Sequence, residues 1–169
     1  DGSVTQYDKR HLVPFLENAF TPGRQSGWTG NGRAMEICKD MDFPATIRID
    51  AGQGVRLAAV PAGDFGADAW LHARMAVLRG VENGFAMVRS AHRGLLTIND
   101  AQGRLIARRT VSPSGMSMIV ATVPQGPGPT LYTRIGDVFA YLIVITTLLI
   151  AGFAIWRRKS KTEAVAKRS

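Results

Sequence analysis

Two stretches decide how this chain reads: Tyr7-Asp8-Lys9-Arg10-His11-Leu12-Val13-Pro14-Phe15, and Ala34-Met35-Glu36-Ile37-Cys38-Lys39-Asp40. The second is a short apolar run that closes on Cys38, the only cysteine in the 169 residues, and passes at once into the charged pair Lys39-Asp40. The first carries Lys9, 29 residues before that cysteine, with Glu17 eight residues further on. Residues 34–38 predict a strand with the thiol at its end. A thiol with a pKa of about 8.5 is mostly protonated at neutral pH, so a reactive one needs a base or a nearby positive charge. Taken one at a time, a buried inert thiol, a solvated lysine and a loop carboxylate are the ordinary fates of such residues.

The C-terminal end sets the compartment. Residues Val138 to Trp156 read VFAYLIVITTLLIAGFAIW, 19 positions without a charge, and Arg157-Arg158-Lys159-Ser160-Lys161 follows directly. An uncharged run of this length crosses a hydrocarbon layer of about 30 Å at 1.5 Å per residue. Dense Lys and Arg on one flank predict that flank to be cytoplasmic. The residues before the span then fall on the opposite side, the periplasm in a Gram-negative bacterium. An unpaired thiol in an oxidising compartment needs a reason, and chemistry is one.

The rest of the composition is that of a folded domain, 46% hydrophobic and 20% charged. The net charge of +8 is carried mostly by the tail from Arg157, with six Lys or Arg against one Glu, which leaves +3 for residues 1–156. The high pI is therefore a topology signal, and no nucleic-acid partner is expected. His11, His72 and His92 have no metal-ligand spacing with one another or with Cys38, and the glycine-rich stretches at 27–32 and 124–128 lack a phosphate-loop pattern. No cofactor or metal is expected.

Between the ends, Val4 to Tyr7 predicts the end of a strand. Residues 21–32 predict a polar, glycine-rich loop, and Pro44 a break before one or two helical turns at 46–49. Residues 55–60 predict a buried strand. A helix is expected over 69–83, N-capped by Asp68 and stopped by Gly84, with Leu71, Met75, Leu78 and Glu82 on one stripe. Strands are expected at 85–91, 95–99, 104–111 and 116–123, and residues 124–129 (Pro-Gln-Gly-Pro-Gly-Pro) form a stiff linker. Trp28, in the loop before the thiol, suits either core cover or contact with lipid.

The ordered set of Lys9 within its Y-D-K-x-H-L-V-P-F stretch, Glu17, and then Cys38 resembles the carbon–nitrogen hydrolase, or nitrilase, superfamily. The likeness extends through HARMAVLRGVENGFAMVRSAHRGLLTINDAQGRLIA (72–107), and the linker with its final span resembles the apolipoprotein N-acyltransferase branch. The resemblance implies an α+β fold, the second half of an α-β-β-α sandwich, followed by one C-terminal transmembrane helix. The divisions expected are a hydrolase portion at 1–123, a linker at 124–137, a membrane helix at 138–156 and a basic cytoplasmic tail at 157–169.

By the same resemblance Cys38 is the nucleophile and Lys9 the oxyanion stabiliser. The Lys39 backbone N–H is the second oxyanion donor, Asp40 supports the turn, and Glu17 holds Lys9 or the intermediate. A phospholipid acyl donor, a diacylated lipoprotein N-terminus and membrane lipid are the implied partners. The chain departs from the family in three places. The general-base Glu is expected upstream of Lys9, in a missing N-terminal portion of the same protein, because only Asp1 and Asp8 are acidic there. Lys39-Asp40 stands where an aromatic residue and Glu are usual, and residues 61–66 (Pro-Ala-Gly-Asp-Phe-Gly) replace a loop with Asn-Asp and Trp. Two rival readings are a membrane-tethered amidase or nitrilase that uses water as acceptor, and an inactive partial domain that binds a partner.

Overall fold

The computed structural model describes residues 4–112 and 114–166, with side chains through Arg157. It divides into two units, residues 1–134 and 135–169. The first is built on one six-stranded mixed sheet in sequential order, β1 (Trp28–Gly30), β2 (Arg33–Met35), β3 (Leu57–Gly63), β4 (Ala86–His92), β5 (Leu95–Asn99) and β6 (Leu105–Thr110). Strands β2, β3 and β4 are parallel, and β1, β5 and β6 pair antiparallel. Parallel neighbours need crossovers. These are α1 (Pro44–Ala51) between β2 and β3, and α2 (Ala69–Asn83) between β3 and β4.

Several local expectations are corrected. The stretch 21–32 is not loop throughout: Asn31 and Gly32, with φ of 49° and 73°, turn β1 into β2 as a tight hairpin. Asn-Gly is the sequence signal for that turn, because both central residues need positive φ. Residues 4–7 form no strand. Pro44 begins α1 instead of breaking the chain, since at the first helical position its missing N–H costs nothing.

Helix α2 runs where expected, and Gly84 ends it in the left-handed conformation at φ 74°. Its buried face is Ala69, Ala73, Ala76, Gly80 and Asn83, whereas Leu71 and Leu78 are exposed. Small residues let the helix backbone lie close to the sheet. A Cβ on Gly80 would stand 2.9 Å from the Phe85 carbonyl oxygen. Asp68 occupies the N-cap position, but its carboxylate accepts from the Phe65 N–H in the preceding loop.

Residues 116–123 form no strand despite their alternating apolar pattern. Met116, Met118 and Val120 are largely exposed, and no strand pairs with the far edge of β6 among the described residues. Residues 124–130 are neither helix nor strand but are strapped to the domain. Gly126 N–H donates to the Arg56 carbonyl, and Gly128 N–H to that of Gly84. A Cβ on Gly126 would lie 2.1 Å from the Gly84 oxygen, which excludes larger residues from the strap. The core between helices and sheet gathers Met41, Ile47, Val55, Val60, Phe85 and Met87. A short α3 (Leu131–Ile135) falls where the first unit ends, and α4 (Val138–Ala166) lies in the second. Its segment Val138–Arg157 is long and apolar enough to cross a membrane. Asp1-Gly2-Ser3 and the basic side chains beyond Arg157, read above as tail, lie outside the described residues.

Candidate active site

Strand β2 ends at Met35, opposite Ala59, while its neighbour β3 continues to Gly63. The side of β3 left open by β2 accepts the chain that carries Cys38, and Pro61 is tolerated there because no ladder bond is required of it. The Glu36 N–H still reaches the Ala59 carbonyl at 3.0 Å. The backbone then turns sharply. Cys38 does not end a strand; it opens a 3₁₀ turn over Cys38–Asp42 at φ 48°, a left-handed conformation that is uncommon for a side-chain-bearing residue. Such strain persists only where neighbours impose it and concentrates at functional sites. Here the imposing residue is Asp40, whose Oδ2 accepts the Ile37 N–H at 3.2 Å and folds the turn back. The Cys38 Sγ faces the Gly63 carbonyl at 3.6 Å.

Asp40 is fully buried and also organises the first motif. Its Oδ1 accepts the backbone N–H groups of Arg10 (3.2 Å) and His11 (2.8 Å), with His11 Nδ1 at 3.0 Å. The Tyr7 hydroxyl donates to Oδ2 at 2.8 Å. One carboxylate thus fastens the Lys9 loop to the Cys38 turn. Lys9, only 10% exposed, places Nζ 2.6 and 2.8 Å from the two Glu17 oxygens, and Glu17 Oε2 also accepts the Val13 N–H at 2.6 Å. Burial works against the Glu17 charge, yet these two donors and the lysine charge hold its carboxyl below the usual range. Lys9, Glu17 and Cys38 line one cavity of about 480 Å³, together with Gly63, His92 and Arg93. The structure brings the three sequence candidates together. Lys39 differs: its ammonium group turns to Asp42, 3.8 Å away.

A buried network beneath this loop is not evident from the motifs. The Arg10 guanidinium bridges Glu36, at 2.8 Å, and Asp50. Ser26 Oγ donates to Asp50 at 2.8 Å. Burial, reinforced by the neighbouring Asp50, pushes the Glu36 carboxyl up to about 9. Burial works against the Asp50 charge, but the neighbouring Glu36 carboxyl, the Arg10 guanidinium and the Ser26 hydroxyl outweigh it and lower the pKa. The Glu36–Asp50 pair therefore shares one proton, leaving a single carboxylate charge against Arg10. The Tyr7 hydroxyl lies within hydrogen-bond distance of Asp40 Oδ2 and, at 3.0 Å, of Glu36 Oε2, the oxygen that also accepts from Arg10. The only early signal was Glu36 itself, a carboxylate inside an apolar run.

A second buried pair shapes the opposite wall. Arg89 on β4 grips Asp64 in a fork at 2.6 and 3.1 Å, and both side chains are almost wholly buried. His72 Nδ1 lies 3.5 Å from the same carboxylate. The altered loop at 61–66 thus places its aspartate in the cavity lining, paired with Arg89.

An apolipoprotein N-acyltransferase of Geobacter metallireducens is 33% identical over 93% of this chain and 34% of its own length. Among solved structures, a variant of a Nesterenkonia amidase of the nitrilase superfamily superposes with a TM-score of 0.57 at 25% identity, covering 66% of this chain and 48% of that one. The chain is an apolipoprotein N-acyltransferase-like member of the carbon–nitrogen hydrolase superfamily. Another variant of the Nesterenkonia amidase, 26% identical over the same shares and also at a TM-score of 0.57, shows the acetamide moiety of fluoroacetamide added covalently at its active-site cysteine. No protein-family model matches the chain. It spans about a third of the length of the curated relatives it matches.

Proposed function

We propose that the chain carries the nucleophile of a membrane N-acyltransferase, which moves a phospholipid acyl chain through a Cys38 thioester to the N-terminal amine of a lipoprotein. The observation that carries this is Cys38, held at a strained φ and opening into a cavity it shares with Lys9. In the first step the Cys38 thiolate attacks the acyl ester carbonyl, and Lys9 with the Lys39 backbone N–H stabilises the oxyanion. The carbonyl re-forms as the lysophospholipid alkoxide leaves and is protonated. In the second step the α-amino group of a diacylglyceryl-cysteine attacks the thioester, the amide forms, and the thiol is regenerated.

Glu17 fixes Lys9 and is a poor proton acceptor, since its pairing keeps it below its ordinary range. The accepting base that the family resemblance implies lies upstream of Lys9. Both substrates reside in lipid, and α4 anchors the site there, in the inner membrane of a Gram-negative bacterium with the catalytic part periplasmic and the basic tail cytoplasmic.

Intact-mass measurement after incubation with phospholipid tests the reading. The protein should gain one acyl mass that hydroxylamine removes, Cys38→Ser should gain no hydroxylamine-labile mass, and Lys9→Met should acylate about 10²-fold more slowly. A folded protein that gains no adduct would exclude the thioester. Water as the acceptor would make it a hydrolase, seen as release of free fatty acid without transfer to a lipopeptide amine.

A further inference from the structure

One wall of the Cys38 cavity is the turn around Arg93, where Arg93-Gly94 joins β4 to β5. His92 and Arg93 line that cavity and also a second, larger one of about 1050 Å³. The second cavity is bordered by Trp70, Arg108 and Arg109, and among the described residues no acidic side chain lines it. Arg74 and Arg108 both stack over Trp70, at 5.3 and 5.8 Å from its ring centre. Among the described residues none of Arg93, Arg108 and Arg109 is ion-paired with a carboxylate.

Arg93 is held in place. Its φ is 58°, a left-handed conformation that arginine rarely adopts. The hairpin cannot relax out of it because it is tied on both sides: Asp64 N–H donates to the His92 carbonyl, and Val111 N–H to that of Gly94, each at 3.0 Å. The buried Asp64–Arg89 pair braces the turn from below, and a Cβ on Gly94 would stand 1.9 Å from an Asp64 oxygen. A strained, exposed and carboxylate-free arginine is therefore pinned at the lip between the thiol and a basic, aromatic shelf.

We propose that Arg93 anchors the phosphodiester of the acyl donor, with the shelf of Trp70 and Arg108 receiving the headgroup beyond it. This rests on the acyltransferase reading and specifies how its donor is held. Cys38 follows the end of β2 and Arg93 follows the end of β4, two strand spacings or about 10 Å along one sheet edge. The glycerol backbone between an acyl carbonyl and the phosphorus is shorter than that span, and the arginine side chain covers the difference. The guanidinium fork matches two phosphate oxygens, and its charge does not titrate in the working range.

The test compares two donors on the intact protein in neutral detergent micelles: dipalmitoylphosphatidylglycerol, and p-nitrophenyl palmitate, which has no phosphate. The variant is Arg93→Gly, which removes the guanidinium and suits the left-handed turn, so loss of fold is not the expected outcome. The ratio of kcat/KM for the phospholipid over that for the ester should fall about tenfold or more, through KM, and Arg93→Lys should recover part of it. Inorganic phosphate at millimolar concentration should slow acylation by the ester only weakly. Inhibition of the parent by phosphate alone, as strong as by the lipid, would assign the site to free phosphate and overturn the donor anchor. An unchanged ratio in a parent that acylates overturns the anchor alone, whereas absence of any adduct in the parent overturns the acyltransferase reading and the anchor with it.

Discussion

At the residue scale, the site depends on carboxylates of opposite character only a few positions apart. Asp40 is saturated with hydrogen-bond donors, whereas Glu36, buried just before the same turn, is pushed up to about 9 by burial and the neighbouring Asp50. In the unfolded chain Glu36 titrates near the ordinary glutamate value of 4.5. Between the two values the folded state binds one more proton than the unfolded state, so stability falls as pH rises from about 5 to about 9. The contribution is fully present below the unfolded value and is lost through the folded one, with a slope of at most about 1.4 kcal/mol per pH unit. Glu36→Gln imitates the protonated acid and should flatten this loss. Denaturation midpoints at pH 6 and pH 9 would show it, and a parent protein equally stable at both would contradict a neutral Glu36.

At the element scale, α2 shows how a helix can invert the usual reading of size. Its exposed apolar residues include Leu71, Leu78 and Val81, while Ala73, Ala76 and Gly80 sit on the buried face. The close approach they permit also brings His72 near Asp64 and so supports the wall of the site. Ala76→Leu should therefore destabilise the domain by about 1–3 kcal/mol through overpacking. Leu78→Ala, on the exposed face, should stay within about 0.5 kcal/mol. Paired chemical-denaturation curves would read the contrast, and the reverse ranking would mean that Leu78 faces the core.

At the scale of the whole molecule, the first unit carries the chemistry and the second carries a helix whose side chains are exposed along the stretch Val138–Arg157. If that stretch spans the bilayer, the protein should stay in the membrane pellet through alkaline carbonate washing. A double Leu148→Asp, Leu149→Asp substitution should release a large fraction, since each charge at the helix centre costs about 2.5–3.5 kcal/mol to insert. Release of the unsubstituted protein by carbonate would argue against a span.

The sequence by itself determined what is local or periodic. The 19-residue apolar run, the Gly84 stop of α2, β5 and the order of Lys9, Glu17 and Cys38 were all legible, because each is written in consecutive residues or fixed spacings. The Asn31-Gly32 hairpin was equally local but was read as loop, because the surrounding glycines mask the two short strands it joins. Tertiary structure alone decided the rest. Asp40 became the clasp of the site because it lies inside the Cys38 turn and within reach of residues 7–11, a contact across about 30 positions that no spacing rule encodes. The left-handed Cys38 follows from β3 outrunning β2, and Arg93 lines the same cavity as the thiol because Gly63, whose carbonyl faces Cys38 Sγ, is in register with His92 of β4. These are properties of strand register, which is set by packing between distant segments rather than by the preferences of the residues themselves.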